Sequence, residues 1–201
     1  MIVQGTDEWK MQRLGHVTAS CISDVMSKGK GGESITRHKY KMKLVAERIT
    51  GTIQESFTNA AMEWGIQQEE VAAMAYEVVK DTFVEPTGFV HHPYIKWLGV
   101  SPDRLVGNIG LIEIKCPNTN THLEYLISQQ IPTKYFNQMQ AQMWCTDREW
   151  CDFVSFDPRL SKKNQLLIIR LQRDNSFIAE MEAEVTHFLT EVENLIIQLG
   201  E

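Results

Sequence analysis

Apolar residues recur along this 201-residue chain with two different periods. A period of three to four residues predicts helices over about 7–14, 19–27, 34–50, 59–80, 119–129, 133–145 and 175–199. Over 83–117, 150–156 and 165–172, short apolar runs alternate with Gly, Pro and Asn, which is typical of strands. Helices around a central mixed sheet predict an α/β (α+β) fold. We expect a single domain over 1–201, with 1–80 mostly helical, 81–173 forming the sheet core and 174–201 an acidic C-terminal helix.

The predicted helix over 59–80 has apolar residues on two sides, so we expect both sides to be buried. Its stripes are Met62, Ile66, Ala73 and Tyr76 on one side, and Val71, Met74 and Val78 on the other. Glu69 falls within the first stripe. Because a buried carboxylate is costly unless another group pairs with it, Glu69 is a candidate functional residue.

The formal net charge of −6 argues against a protein that is basic overall and binds nucleic acid non-specifically. Residues 174–201 hold seven acids and no Lys or Arg, so the rest of the chain carries a net charge of +1. Six cations face the single acid Glu33 over 28–43: Lys28, Lys30, Arg37, Lys39, Lys41 and Lys43. This basic segment is either a solvated helix face or a surface that contacts phosphates.

No apolar run is long enough to span a membrane, and the segment MIVQGTDEWK lacks the basic start and apolar core of a signal peptide. We therefore expect a cytoplasmic protein with no membrane partner. The cysteines form no C-x-x-C pair, which disfavours a zinc ribbon and favours reduced thiols. An iron–sulfur cluster would require all four to converge: Cys21, Cys116, Cys145 and Cys151.

The segment GVSPDRLVGNIGLIEIKCP, residues 99–117, places charged residues in an apolar strand. Strand alternation puts Glu113 and Lys115 on one face, about 7 Å apart, while positions 112, 114 and 116 face a core. A hairpin centred on Asn108 would set Asp103 opposite Glu113. Two adjacent carboxylates repel unless a cation neutralises them, and oxygen ligands suit Mg²⁺ or alternatively Mn²⁺. This set predicts a phosphodiesterase site, the alternative being an ordinary charge pair on an exposed hairpin.

Five segments carry a resemblance to a known family: RLGHVTAS (13–20), EWGIQQE (63–69), SPDRL (101–105), LIEIKCP (111–117) and YFNQMQAQMW (135–144). In this order and spacing they resemble the YqaJ-type viral recombinases, the family of phage lambda exonuclease, within the PD-(D/E)XK nuclease superfamily. The resemblance covers nearly the whole chain, from about Gly5 into the last helix. It implies a restriction-endonuclease-like core. It also implies an Mg²⁺-dependent enzyme that degrades linear double-stranded DNA from the 5′ end and leaves a 3′ single strand.

The resemblance implies a role for each matching residue of the catalytic site. The metal would be held by Asp103, Glu113, the Ile114 carbonyl and Glu69. Lys115 would lie beside the attacking water, and Gln138 would position water or substrate, although a surface helix residue is the alternative for Gln138. The family position after the catalytic Asp is often small, whereas here it is Arg104.

The resemblance also implies how the chain would contact DNA. Arg13, Ser20 and Ser101 match a pocket for the 5′-phosphate. Ser20 lies in the first turn of the helix predicted after Thr18, where free N–H groups favour an anion. Three further residues would bind DNA. Met62 matches a family position that wedges apart the terminal base pair, and Lys28 and Lys30 fall in a loop that contacts DNA in the family. Structural roles are the alternatives: helix capping for Ser20, surface charge for Arg13 and core packing for Met62.

The resemblance further implies the assembly and the partner. The assembly would be a ring-shaped homotrimer, which would retain DNA without much positive charge. The acidic C-terminal helix would then face outward or toward a partner. A phage single-strand annealing protein is the expected partner, in a bacterial host that expresses the protein from a phage or prophage. The alternatives are a restriction-type endonuclease or a Cas4-like nuclease of the same fold, or a DNA-end-binding module without catalysis.

Overall fold

The computed structural model describes residues 2–54 and 60–200, without the side chains of 60–62. Its helices are α1 (Asp7–Arg13), α2 (Ile22–Val25), α3 (Ile35–Thr50), α4 (Ala60–Lys80), α5 (Thr119–Ser128), α6 (Thr133–Thr146) and α7 (Asn175–Leu199). The helix predicted over 19–27 is wrong in part, because a 3-10 turn (Ala19–Cys21) precedes the four-residue α2. The chain leaves α2 early since the Gly-rich segment that follows forms a small hairpin.

The strands are β1 (Val17–Thr18), β2 (Lys28–Gly29), β3 (Gly32–Glu33), β4 (Glu85–Pro86), β5 (Val90–His91), β6 (Leu98–Val100), β7 (Arg104–Val106), β8 (Gly110–Lys115), β9 (Trp150–Phe156) and β10 (Leu166–Gln172). Five of them form the main sheet in the order β10-β9-β8-β7-β4, and β1-β6-β5 form a smaller one. In the main sheet β8 and β9 are parallel, whereas the other neighbours are antiparallel. The predicted central mixed sheet is therefore confirmed.

The β7–β8 hairpin has the register that the sequence predicts. Arg104 pairs with Ile112 and Val106 pairs with Gly110, so the hairpin is centred on position 108. Gly107 adopts a left-handed conformation with φ of +52°, which glycine tolerates without strain. A Cβ atom at Gly110 would lie 2.1 Å from the Trp150 ring, so only glycine fits there. This register brings position 103 opposite position 113.

Helix α4 covers one face of the main sheet, and α5 and α6 cover the other. Tyr76 and two small residues of α4 pack against the side chains of β8 that include Ile112 and Ile114. On the opposite face, α5 and α6 pack against Phe153 and its apolar neighbours. The predicted burial of α4 on two sides is wrong, because Ile66 is 71% and Val78 83% exposed. A helical period alone does not show which stripe another element covers.

Helix α7 packs across the N-terminal helices through a regular apolar stripe: Met181, Val185, Phe188 and Val192. We expected the acidic residues of α7 to face outward or toward a partner, but Glu191 faces other helices of this chain. Glu191 accepts hydrogen bonds of 2.6 Å from Arg37 and 3.3 Å from Lys41, both of which are buried. Glu33 contacts the same two cations. The basic segment is therefore partly neutralised within the chain, and Arg37 and Lys41 do not form a phosphate-binding surface.

None of the helices in the described ranges has a stretch long and apolar enough to cross a bilayer.

Candidate active site

Three charged residues converge at one edge of the main sheet. Asp103 precedes β7, and its Oδ2 accepts a 2.6 Å hydrogen bond from the backbone N–H of Ile114. This bond ties Asp103 to β8, next to the fully buried Glu113. Lys115 extends from the same face of β8, and its ammonium contacts Glu113 Oε1. The convergence that strand alternation and the hairpin predicted is thus present in the structure.

Two glutamines of α6 donate hydrogen bonds to the Glu113 carboxylate. Gln138 Nε2 donates to Oε1 and Gln142 Nε2 donates to Oε2, each over 2.6 Å. Gln142 is fully buried and was not predicted, although it follows Gln138 by one helical turn in the segment YFNQMQAQMW. That spacing is the signal that could have identified it. With Lys115 included, three donors fix the orientation of Glu113.

The charges of the site perturb one another strongly. Burial and the adjacent Glu113 raise the pKa of Asp103 well above its usual value, although Lys115 and the Ile114 N–H oppose this shift. Burial disfavours the ammonium of Lys115, but Glu113 and Asp103 outweigh this effect and raise its pKa. Burial, with Glu69 and Asp103, raises the pKa of Cys116 to about 12, so this thiol stays protonated.

Glu69 approaches the site from the opposite face of the sheet, because it lies on α4. Its Oε1 accepts a 2.8 Å hydrogen bond from Arg104 Nη1, and Arg104 Nη2 donates to Glu70 over 2.7 Å. Arg104 also donates to the carbonyl of Asp103 over 2.6 Å. This guanidinium supplies the pairing that the position of Glu69 required, and it joins α4 to the start of β7. The role of Arg104 was not apparent in the sequence.

The oxygen atoms at this edge suit a hard divalent cation. They are the carboxylate oxygens of Asp103, which is held by the Ile114 N–H, and of Glu113, while Glu69 pairs with Arg104. No group of three or more His, Cys, Asp or Glu side chains converges to hold a metal ion anywhere in the described ranges. Burial and the adjacent Glu113 raise the pKa of Asp103 and so disfavour its charged form, a cost that a bound cation would offset. A small cation with oxygen and water ligands fits this donor set.

A second polar group lies where α1 approaches β6. Ser101 Oγ accepts hydrogen bonds from the Trp9 indole over 3.0 Å and from Arg13 Nη1 over 3.3 Å. The Arg13 guanidinium also stacks on the Trp9 ring, with 4.1 Å between its Cζ and the ring centroid. Arg13 and Ser101 are thus brought together as predicted, and Trp9 is an addition.

Ser20 reaches the same edge but makes different contacts. Strands β1 and β6 are parallel and pair Thr18 with Gly99, so Ser20 and Ser101 each follow that pair by two positions. Ser20 Oγ lies 3.4 Å from Thr18 Oγ1, and Ser20 is exposed. The predicted helix start after Thr18 is only a 3-10 turn, and Thr18 makes no side-chain cap bond there. Ser20 therefore follows the paired end of β1 and contacts the side chain of Thr18, while the described contacts of Arg13 and Ser101 do not include it.

Helix α3 holds the turn that follows Arg13 with two adjacent side chains. Glu47 Oε2 accepts the N–H of Gly15 over 3.0 Å, and Arg48 Nε donates to the Gly15 carbonyl over 2.9 Å. Gly15 has a left-handed φ of +68°, and a Cβ atom there would lie 2.7 Å from Arg48 Cγ. This clamp fixes the direction in which the chain leaves α1, and with it the position of Arg13.

Two of the predicted DNA-contacting residues lie on a separate element. Lys28 and Lys30 belong to the exposed β2–β3 hairpin, and Lys28 Nζ lies 3.8 Å from Glu184 on α7. Met62 belongs to α4, but its side chain lies outside the described residues.

The four cysteines are free thiols, as predicted. They are distributed over three separate clusters: Cys21 and Cys145 in the first, Cys116 in the second, and Cys151 in the third. They therefore do not converge on one site for an iron–sulfur cluster.

Comparison with known proteins matches the YqaJ-like viral recombinase domain to residues 8–149. The alkaline exonuclease LHK-Exo from Laribacter hongkongensis is 45% identical, with a TM-score of 0.91 over 97% of this chain and 96% of that one. Its complex with dAMP gives the same identity and TM-score over 96% of both chains.

Two more distant relatives extend the comparison. A phage-related exonuclease from Haemophilus somnus 129PT is 17% identical, with a TM-score of 0.76 over 92% of this chain and 96% of that one, and so shares the fold. An uncharacterized protein of Acanthamoeba polyphaga mimivirus, R354, is 27% identical over 169 residues. This match covers 75% of the present chain but only 28% of the length of R354.

Proposed function

The chain belongs to the YqaJ-like viral recombinase family and has the PD-(D/E)XK nuclease fold, and on this premise we propose that it is a deoxyribonuclease. It degrades one strand of linear double-stranded DNA from the 5′ end, in a Mg²⁺-dependent reaction, and leaves a 3′ overhang for strand annealing. Residues 1–201 act as one nuclease domain. The observation that carries the proposal is the convergence of Asp103, Glu113 and Lys115 at one sheet edge.

Asp103, Glu113 and the Ile114 carbonyl would hold the metal, and Glu69 would support it from α4. Carboxylate and carbonyl oxygens favour Mg²⁺, with Mn²⁺ as the alternative. Such a cation supplies charge that polarises a phosphoryl oxygen and makes a water molecule more acidic. The two glutamine bonds to Glu113 support this role, because they fix the direction of its lone pairs.

Lys115 supplies a positive charge beside the reacting phosphate. Burial lowers the pKa of this side chain, but the neighbouring Glu113 and Asp103 outweigh that effect and favour the ammonium. An ammonium there orients the attacking water and stabilises the negative charge that develops on the phosphoryl oxygens. Gln138 would act on the same water or on the substrate, and the contact of its amide with Glu113 supports this role.

The Arg13–Ser101 pair binds the 5′-phosphate, together with Ser20. An arginine that is held by a hydroxyl and an aromatic ring, without a carboxylate partner among the described residues, is available for a charge-assisted contact with an anion. The LHK-Exo complex with dAMP supports a site that accommodates a nucleoside monophosphate. We expect Arg13→Ala to reduce the preference for 5′-phosphorylated over 5′-hydroxyl ends, and an unchanged preference would remove Arg13 from the pocket.

The assembly and the biological setting are further parts of the proposal. A ring-shaped homotrimer would retain DNA topologically, which suits a chain with a net charge of −6. Met62 would wedge the terminal base pair, and Lys28 and Lys30 would contact the DNA. A phage single-strand annealing protein would use the overhang in the cytoplasm of the bacterial host. Light scattering at micromolar concentration tests the ring, since a monomer mass would contradict it.

The deciding experiment compares linear duplex DNA, with 5′-phosphate or 5′-hydroxyl ends, with a closed circle. We expect mononucleotide release from the linear DNA only, with Mg²⁺ but not with EDTA, and faster from phosphorylated ends. Lys115→Ala should keep the fold and DNA binding but lose cleavage by at least ~10²-fold. Lys80→Ala is the matched control, because Lys80 is exposed at the far end of α4. Cutting of the circle, or a wild-type rate in Lys115→Ala, would refute the assignment.

A further inference from the structure

A basic loop joins β9 to β10 beside the candidate active site. Residues 158–165 contain the cations Arg159, Lys162 and Lys163 and no acid. Arg159 pairs with the buried Asp157. Lys162 and Lys163 form no ion pair with any of the described residues. Both lysines are exposed.

Strand register places this loop at the sheet edge that carries Asp103, Glu113 and Lys115. Because β8 and β9 are parallel, their carboxyl ends meet at the same edge. Lys115 pairs with Ser155, so the chain leaves the sheet at neighbouring points after each strand. Adjacent strands lie about 4.8 Å apart, so Ser155 lies one strand spacing from Lys115, and the loop begins two positions later, at Asp157.

Direct contacts tie the loop to both elements that flank the site. Asp157 Oδ2 accepts a 2.7 Å hydrogen bond from Thr119, at the start of α5. Arg159 Nη2 lies 3.5 Å from the carbonyl of Pro117, two positions after Lys115. The Arg159 guanidinium also lies 4.6 Å from the ring centroid of Trp64, which is on the helix that carries Glu69.

The backbone of the loop is anchored. His122 is fully buried and bridges Ser155 Oγ, at 2.7 Å, and the carbonyl of Asn164, at 2.9 Å. A turn bond of 2.8 Å from the N–H of Asn164 to the carbonyl of Ser161 encloses the two lysines. An anchored loop has less conformational entropy to lose when it binds a ligand, so its cations are presented in advance.

From this placement we propose that the β9–β10 loop is a second DNA-binding surface, on which Lys162 and Lys163 contact backbone phosphates next to the cleaved strand. The proposal rests on the proposed nuclease function, because that function supplies DNA at this edge. Phosphates are the partner that fits, since Lys162 and Lys163 offer two cations without a counter-charge among the described residues, beside the proposed phosphodiesterase site. Arg159 is a positioning residue, because it neutralises Asp157.

The test measures how binding of a linear, 5′-phosphorylated duplex depends on salt, in EDTA so that no strand is cut. Each lysine that contacts a phosphate contributes about 0.9 to the slope of log K against log[salt]. We expect Lys162→Ala/Lys163→Ala to lower the magnitude of this slope by about 2. Lys162→Arg/Lys163→Arg should restore it. The control Lys80→Ala/Lys96→Ala removes two exposed lysines elsewhere and should leave the slope unchanged.

Either of two results would overturn the proposal: an unchanged slope in Lys162→Ala/Lys163→Ala, or an equal loss in the control. Both lysines are exposed and no anchoring bond of the loop uses their side chains, so the double substitution should leave the stability of the fold nearly unchanged. Cleavage by the wild-type protein with Mg²⁺ is measured separately. Absence of that cleavage would refute the nuclease function, whereas the slope would still report whether the loop binds DNA.

Discussion

The substitution Gln142→Leu tests whether Gln142 orients Glu113 for cleavage, in addition to stabilising the fold. Leucine has nearly the volume of glutamine but cannot donate to Glu113 Oε2, which now accepts a 2.6 Å bond from the Gln142 amide. A hydrogen bond to a charged group contributes about 1.5–3 kcal/mol to stability. For a domain of this size, about 2–4 °C of melting temperature corresponds to 1 kcal/mol, so Tm should fall by ~3–12 °C.

The cleavage activity of Gln142→Leu should change because Glu113 is a proposed ligand of the metal. A residue that orients a metal ligand typically contributes 10–100-fold to metal affinity or activity. We therefore expect Gln142→Leu to require about 10-fold or more Mg²⁺ for half-maximal cleavage of a linear duplex. DNA binding measured in EDTA should be unchanged, because Gln142 is fully buried and cannot reach the DNA.

The matched control is Gln140→Leu, on the same helix. Gln140 is also fully buried, and its amide bonds the carbonyl of Gln172 and the N–H of Asp174, each over 2.9 Å, away from Glu113. This variant should lose stability but keep the wild-type dependence on Mg²⁺. A normal Mg²⁺ dependence in Gln142→Leu, or an equal shift in Gln140→Leu, would refute the idea that Gln142 acts by orienting Glu113.

Three other predictions follow from contacts outside α6. Arg104→Ala should release Glu69 and lower the cleavage rate. Arg104→Lys keeps the positive charge but cannot donate to Glu69 and Glu70 at once, so it should recover only part of that rate. Equal cleavage rates in both variants and the wild type would contradict this. The cations of α3 lower the pKa of Glu33 from 4.5 to about 2, so its stabilisation is complete above about pH 5 and is lost as the pH falls toward 2. The Tm difference between the wild type and Glu33→Gln should shrink over that interval in thermal melts. Gly110→Ala should reduce Tm by several degrees, because the new methyl group would overlap the Trp150 ring.

The parts of the site that could be predicted depend on local chemistry. The register of the β7–β8 hairpin follows from its turn residues and from strand alternation, so the meeting of Asp103 with Glu113 was accessible from the sequence. The resemblance to a known family identified Arg13 and Ser101 as members of one site. Sequence pattern alone does not indicate this contact, because the two residues are 88 positions apart.

The parts that could not be predicted depend on what a residue meets across the fold. The basic segment of α3 was open to interpretation as a phosphate surface because the partner of Arg37, Glu191, lies 154 positions away. Apolar residues of α4 were expected to be buried, but helical spacing carries no information on where the sheet ends. Arg104 illustrates the same limit, since its neighbours in sequence do not reveal that it reaches Glu69 and Glu70 on another element.

The pairing of α7 with α3 has a consequence for the order in which the chain folds. Arg37 and Lys41 are buried cations whose compensation includes Glu191, 154 and 150 positions later. During synthesis the N-terminal helices emerge long before that carboxylate, and closing so long a loop is entropically slow. The helical half of the nuclease therefore matures only when the last helix arrives. A chain that stops short of α7 leaves two buried cations with Glu33 as their remaining acidic partner among the described contacts, and so loses more than a single helix.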